Sequence, residues 1–73
     1  MISGDYVVYT NLGPDYRPGL TFNQTYKVKQ SIGSYVYVYL KGNWSTFDNA
    51  RSFRFATEKE IADFQIKKMF EDV

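Results

Sequence analysis

Residues 34–42, SYVYVYLKG, decide the fold of this chain because two kinds of side chain alternate along them. The aliphatic members are Val36, Val38 and Leu40, and the aromatic members are Tyr35, Tyr37 and Tyr39. Successive side chains of a β-strand point to opposite faces of the sheet. The pattern therefore predicts a strand with an aliphatic face toward a core and a tyrosine face on the other side. The purpose of that tyrosine face is the functional question.

The flanking segments predict further strands. In residues 25–30, TYKVKQ, Tyr26 and Val28 alternate with polar residues, which is typical of a strand with one face in water. Turns at 33–34 and 41–43 connect this segment to residues 34–40 and then to WSTF at 44–47, so a three-strand antiparallel meander is expected. DYVVY at 5–9 and FRF at 53–55 supply two short outer strands, and Trp44 is predicted to be a core residue.

A long loop interrupts this pattern after the first strand. Residues 10–19, TNLGPDYRPG, are rich in proline and glycine. Proline fixes the φ angle and glycine permits a positive φ, and both are typical of turns. Loops of this length in a small domain are often functional. Tyr16 and Arg17 at its centre are therefore included in the predicted binding surface.

The end of the chain has a helical pattern. Thr57 and Glu60 form a capping box, and acidic residues in the first turn suit the helix dipole, so a helix over Glu58–Glu71 is predicted. Its apolar residues fall into two stripes. The larger stripe contains Ala62, Ile66, Met69, Phe70 and Val73, and the smaller contains Ile61 and Phe64. One stripe is expected to dock on the sheet, with the larger favoured for docking over self-association. Met69 and Phe70 are also candidates for contact with a partner.

Composition excludes most catalytic chemistry. The chain of 73 residues has no cysteine and no histidine, which removes serine–histidine–aspartate sets, cysteine nucleophiles and imidazole metal ligands. Glycine-rich phosphate loops are also absent. Asp5, Asp15 and Asp48 lie in or beside predicted turns, where aspartate is common. We therefore expect no enzyme activity, no cofactor and no metal.

The start of the chain and its charge give expectations about location and partners. MISGDYVV does not resemble a secretory signal, and no apolar stretch approaches the ~20 residues that span a bilayer, so a cytoplasmic protein without membrane contact is expected. Residues 1–56 carry six Lys and Arg against three Asp, and residues 57–73 carry three Lys against five acids. This mild asymmetry, +3 against −2, permits weak contact with nucleic acid but does not require it.

The order of the segments resembles small SH3-like β-barrel proteins common in bacteriophage genomes. The resemblance rests on Gly4-Asp5, on Leu20-Thr21, on Tyr26-Lys27-Val28 and on residues 51–55, and it covers nearly all of residues 4–56. It implies an SH3-like five-stranded antiparallel barrel at 1–56. The C-terminal α-helix at 57–73 is longer than this pattern requires, and the two parts together predict a mainly β (α+β) protein that is short enough to be a single domain, 1–73. The resemblance brings no catalytic residues. It also implies a phage-encoded protein that acts in the host cytoplasm. Since the stripe of the helix that does not dock can self-associate, a monomer or weak homodimer is expected.

Three explanations of the tyrosines stay open. They can be packing alone, since tyrosine has a high β propensity and pairs well across strands. They can form a protein-binding surface, because tyrosine gives rigid amphipathic contact area. They can also stack nucleic-acid bases, with Lys27 and Lys29 of the neighbouring strand on the same face taking the phosphates. The expected function is a non-catalytic protein that binds and modulates a host protein, and the alternative is a single-stranded nucleic-acid or nucleoprotein binder.

Overall fold

A computed structural model describes residues 1–11, 19–40 and 44–71, without the side chain of Glu71. Within them the chain forms five antiparallel strands in one sheet and a C-terminal α-helix, which confirms the expected mainly β architecture. The elements are β1 (Tyr6–Tyr9), β2 (Thr25–Ile32), β3 (Tyr35–Tyr39), β4 (Ser45–Asn49), a 3₁₀ turn (Ala50–Ser52), β5 (Phe53–Phe55) and α1 (Glu58–Glu71). The helix has the bounds that the capping pattern predicts.

The sheet has the strand order β4-β3-β2-β1-β5. The meander β1-β2-β3-β4 follows the chain, and β5 returns to pair with β1 on its free side. The register of β2 against β3 shifts between Val28 and Gln30, so Lys29 lies at an irregularity of the bulge type. Such a bulge bends a strand and increases its twist. Because β4 and β5 are not paired with each other among the described residues, the sheet is open there.

One face of the sheet, the inner face, carries the core. Val28 pairs with Val38 and Val7 pairs with Tyr26, so these side chains share that face. The core consists of Val7, Tyr9, Leu20, Tyr26, Val28, Val36, Val38 and Phe53, with Met1, Leu40 and Ala50 packed against it. The structure therefore confirms the assignment of the aliphatic residues of β3, and of Tyr26 and Val28, to the core.

The inner face is strongly curved. The hydroxyl of Tyr9 in β1 donates a hydrogen bond of 2.6 Å to Oδ2 of Asp48 in β4, although β2 and β3 lie between these strands. In a flat sheet, three strand spacings of about 4.8 Å would separate β1 from β4 by ~14 Å. The contact therefore requires the sheet to curl, so that β1 and β4 approach each other across the core. Asp48 thus belongs to β4 and bonds across the core, beyond the turn role expected from the sequence.

The capping box of α1 forms as predicted. The backbone N–H of Glu60 donates to Oγ1 of Thr57 at 3.2 Å, and the N–H of Thr57 donates to Oε1 of Glu60 at 2.9 Å. Glu60 also accepts two hydrogen bonds of 2.8 Å from the guanidinium of Arg54 in β5. Only Ala56 and Thr57 separate β5 from α1. These bonds therefore fix the direction in which the helix leaves the sheet.

The helix docks through its smaller apolar stripe, so the prediction that the larger stripe packs on the sheet is wrong. The Phe64 ring packs on Tyr6 of β1, and Phe64 and Ile61 are partly buried. Ile66, Met69 and Phe70 are 53%, 70% and 75% exposed. Val73 of the predicted stripe lies outside the described residues. The reason is geometric: the short connection from β5 turns the side that carries Phe64 toward β1 and β2.

Candidate interaction surface

The face of the sheet opposite the core, the outer face, has two parts. Over β1 and β2 it is covered by α1: Val8 of β1 points outward beside Tyr6 and Arg54, both of which contact the helix, and Val8 is nonetheless fully buried. Over β3 and β4 it carries aromatic side chains. We call the set Tyr35, Tyr37, Tyr39 and Phe47 the tyrosine patch, since the β3–β4 register places all four on this face.

Phe47 is the centre of the tyrosine patch. Its ring lies 5.0 Å from that of Tyr37 at a tilt of 31°, and 5.6 Å from that of Tyr35 in an edge-to-face arrangement at 86°. Pairs of this geometry are each worth ~0.5–1.5 kcal/mol beyond area burial. Tyr37 is partly buried by these contacts, whereas Tyr35 and Tyr39 are 48% and 39% exposed. The patch is therefore a packed cluster with two accessible tyrosines at its ends.

The two lysines predicted to share the outer face have different positions. Lys27 pairs with Tyr6 and follows the alternation away from Val28, which places it on the outer face as expected. Lys29 lies at the bulge, and Gln30 takes the position opposite Tyr37. Lys29 is exposed but has no cross-strand tyrosine partner in the register. Only Lys27 therefore has the predicted relationship to the tyrosines.

A shallow depression lies where α1 meets β1 and β2. It has a volume of about 230 Å³ and is open to solvent. We call it the helix groove; it is lined by Tyr6, Lys27, Phe64, Gln65, Lys68 and Met69. Gln65 Nε2 donates a long hydrogen bond of 3.4 Å to the hydroxyl oxygen of Tyr6, and Lys68 Nζ lies 5.7 Å from the centre of the Phe64 ring. The groove thus combines an aromatic wall with cationic groups.

The helix leaves a second apolar surface in water. Ile66, Met69 and Phe70, which we call the exposed helix stripe, point away from the docked side of α1. Met69 also borders the helix groove, so the stripe and the groove are contiguous. The sequence named Met69 and Phe70 as candidate contact residues, and the structure leaves both accessible.

Other residues named from the sequence do not join this surface. Trp44 is 77% exposed, so the prediction that it belongs to the core is wrong: it precedes β4 at the end of the β3–β4 hairpin, where its carbonyl oxygen accepts a hydrogen bond from Leu40. Tyr16 and Arg17 lie outside the described residues, as do residues 41–43 of the predicted turn.

The ion pair that holds the helix shifts the pKa of both of its members. The hydrogen bonds from Arg54 lower the pKa of Glu60 from its ordinary value of 4.5 to about 2, with the backbone N–H of Thr57 acting in the same direction. The hydrogen bond to Glu60 raises the pKa of Arg54. The two side chains are 45% and 26% exposed. The pair thus serves helix docking at the surface and lies outside the tyrosine patch.

The described part of the chain shows no group of three or more acidic, histidine or cysteine side chains that could hold a metal ion. No helix in it is long and apolar enough to cross a membrane. Comparisons with models of known protein families, with curated proteins and with solved structures found no match. The surface of this chain is therefore the basis for inferring its function.

Two contributors to this surface were missed by the sequence interpretation. The sequence pattern places Phe47 only in a strand, whereas the antiparallel register from Tyr39↔Ser45 to Tyr35↔Asn49 puts it beside Tyr37. Extending the predicted meander by alternation would have found it. The contact of Tyr6 with the helix is the second. No local sequence pattern indicates it, because its partner Phe64 lies 58 residues further along the chain.

Proposed function

We propose that this chain is an SH3-like barrel that acts as a non-catalytic interaction protein and binds a protein partner through the tyrosine patch and the adjacent helix. The observation that carries the proposal is the accessible aromatic surface on the side of the sheet away from the core. Tyr35 and Tyr39 are exposed there, and the exposed helix stripe adds Ile66, Met69 and Phe70. Exposed apolar patches on a small protein commonly mark interaction sites.

The barrel assignment is supported by topology and curvature. A four-strand meander with a fifth strand that returns to β1 supplies the five antiparallel strands that the resemblance to SH3-like barrels implies. The Tyr9–Asp48 hydrogen bond across the core and the bulge in β2 support a sheet that curls toward closure.

A protein partner suits the tyrosine patch because tyrosine supplies rigid, amphipathic contact area and is enriched at interfaces. The resemblance to small phage proteins suggests a partner in the host cytoplasm. Binding that covers a functional surface of a host protein needs no active site in the binder, so a chain without histidine or cysteine can modulate a host protein by steric means.

Nucleic acid is the less suitable ligand for the tyrosine patch. Base stacking requires free ring faces, but the ring of Phe47 is occupied by Tyr35 and Tyr37. Of the two lysines expected to take phosphates, only Lys27 keeps the required position. We therefore treat nucleic-acid binding as an outcome of the test.

The proposal is tested by affinity capture from bacterial lysate with and without nuclease, followed by mass spectrometry. The wild type is compared with Tyr35→Ser/Tyr39→Ser, which removes the two accessible tyrosines, and with Phe22→Ser as a matched control. Phe22 is 46% exposed and lies in the turn before β2. Circular dichroism checks that each variant is folded.

We expect the wild type and Phe22→Ser to capture the same protein with and without nuclease. Tyr35→Ser/Tyr39→Ser should not capture it. Capture abolished by nuclease would assign the surface to nucleic acid. Equal capture by all three proteins, or no capture by the wild type, would show that the tyrosine patch is packing alone.

A further inference from the structure

The helix groove has a chemical character that the tyrosine patch lacks: its polar lining consists mainly of hydrogen-bond donors. Lys27 and Lys68 contribute two ammonium groups, and among the described residues neither has a carboxylate within 4.0 Å. Tyr6 accepts from Gln65 through its hydroxyl oxygen, and its own proton has no acceptor in the described part of the chain. Three donors thus border one depression without a matching acceptor.

The acidic residues that the structure describes near the groove lie outside its lining: Asp63, next to Phe64 in the chain, lines a separate depression together with Glu60. None of its six lining residues is acidic. Glu60, on the docked side of the same helix, precedes Lys68 by eight residues, which corresponds to ~12 Å along the helix axis. Its carboxylate is already paired with Arg54. Asp5 precedes Tyr6 and accepts a hydrogen bond from the backbone of Ile2. The lining of the groove is therefore cationic, which favours an anionic ligand.

The rest of the lining is apolar and open. The Phe64 ring, the Tyr6 ring and Met69 provide the wall beside the cationic groups. A small inorganic anion would leave this apolar surface in water, whereas a side chain that carries a carboxylate next to an aromatic or aliphatic residue would cover it. Lys27 in β2 lies on the same face of the sheet as Tyr39 in β3, so one charge of the groove is on the outer face that carries the tyrosine patch.

We propose that the helix groove binds an acidic segment of the protein partner, with carboxylates on Lys27, Lys68 and the Tyr6 hydroxyl and a neighbouring apolar side chain against Phe64 and Met69. This inference rests on the proposed function and adds the chemistry of the partner to it. The positive charge of the groove lining favours a ligand with negative charge. Its aromatic wall selects a peptide with apolar residues between its acids.

The test uses a fluorescein-labelled peptide of alternating glutamate and phenylalanine, a matched peptide with glutamine in place of glutamate, and a single-stranded oligothymidylate. Binding to the full chain is measured by fluorescence anisotropy and located by backbone amide shifts in ¹H–¹⁵N NMR spectra. Lys27→Gln/Lys68→Gln removes the two groove charges. Lys29→Gln/Lys59→Gln removes the same charge from lysines outside the groove lining and serves as the matched control.

We expect the glutamate peptide to bind the wild type and the control variant equally, to bind Lys27→Gln/Lys68→Gln about tenfold more weakly, and to lose affinity as NaCl rises from about 0.05 to about 0.5 M. The largest amide shifts should fall on Tyr6, Lys27 and residues 64–69. Equal binding of the glutamine peptide, shifts located elsewhere, preferred binding of the oligonucleotide or no binding of any probe would each overturn the inference.

Failure of this inference is distinguishable from failure of the proposed function. If Lys27→Gln/Lys68→Gln still captures the lysate partner with wild-type yield while Tyr35→Ser/Tyr39→Ser does not, the groove is no binding site and the tyrosine patch remains one. Should the groove variant unfold, the peptide comparison and the amide shifts on the wild type decide the question without it.

Discussion

The ring of Phe64 packs edge-on against that of Tyr6, with 5.6 Å between the ring centroids and 65° between their planes. This contact joins α1 to β1, although the two residues are 58 positions apart in the sequence. It covers the outer face where Val8 is fully buried. Phe64 is thus the principal apolar anchor of the helix, and the Arg54–Glu60 pair is its polar anchor.

Phe64→Ala should therefore destabilise the protein, whereas Phe70→Ala should not. The expected loss for Phe64 is about 2 kcal/mol, below the ~3–5 kcal/mol of a fully buried phenylalanine, because the side chain is only partly buried. Phe70 is 75% exposed, so its truncation should stay within ~0.5 kcal/mol. Urea melts measure both. A larger loss for Phe70 than for Phe64 would mean that the helix docks through the opposite stripe.

The docked stripe illustrates what the sequence could not decide. The capping residues Thr57 and Glu60 predicted where the helix begins, because capping is local chemistry. The choice of stripe depends on the direction in which the helix leaves β5, and this direction is set by the long-range contacts of Glu60 with Arg54 and of Phe64 with Tyr6. Composition favours docking of the stripe with more apolar residues, but the connection geometry places the smaller stripe against the sheet.

Val38→Ala should cost about 2 kcal/mol or more. Val38 is fully buried at the centre of the inner face and pairs with Val28, and a core of this size has little freedom to relax around the lost methyl groups. Ile66→Ala, at a 53% exposed position of α1, is the control and should change stability by much less. A change below ~0.5 kcal/mol for Val38 in a urea melt would contradict the assignment of the inner face.

The sheet shows the same division between local and non-local information. Alternation in residues 34–40 predicted which side chains enter the core, because the period of a strand fixes its faces. It did not predict the bulge at Lys29, a backbone irregularity without a local marker such as glycine. Nor did it predict the exposure of Trp44, whose size suggested burial but whose position at a hairpin end leaves its side chain in water.

Tyr37→Ser should destabilise the protein more than Tyr35→Ser. Tyr37 is partly buried against Phe47 at 5.0 Å, whereas Tyr35 is 48% exposed and touches only the edge of the same cluster. Loss of the aromatic pair and of buried area should cost about 1–2 kcal/mol at Tyr37. Thermal and urea melts compare the variants. Equal stability of the two would mean that Tyr37 is as free for a partner as Tyr35.

Tyr9→Phe should lower the free energy of unfolding, because it removes the hydrogen bond that joins β1 to β4 across the core. The substitution keeps the fully buried ring and its packing on Phe53 but removes the hydroxyl that bonds Asp48, leaving a partly buried carboxylate without this donor. The expected loss is about 1–3 kcal/mol. Tyr35→Phe, which removes an exposed hydroxyl, is the control. Unfolding in urea measures both, and a loss at Tyr9 no larger than at Tyr35 would show that the bond across the core contributes nothing.

The stabilisation that the Arg54–Glu60 pair gives to helix docking should be lost at acid pH. The pKa of Glu60 is lowered from 4.5 to about 2 in the folded protein, so the unfolded chain takes up the proton first as pH falls. The stabilisation is therefore complete above about pH 4.5 and is lost progressively as the pH falls toward about 2. Both side chains are substantially exposed, which makes the effect small and sensitive to salt.

Glu60→Gln isolates this effect, because glutamine can still accept the Thr57 N–H of the capping box but cannot form the ion pair with Arg54. Above pH 4.5 the wild type should melt at a higher temperature than the variant, and the difference should disappear near pH 2 and shrink in high salt. The difference between the two proteins cancels the titration of the other acids. In an Arg54→Gln background the Glu60 substitution should lose its pH-dependent part, since the ion pair is already absent. A pH-independent difference in the wild-type background would assign the contribution of Glu60 to the cap alone.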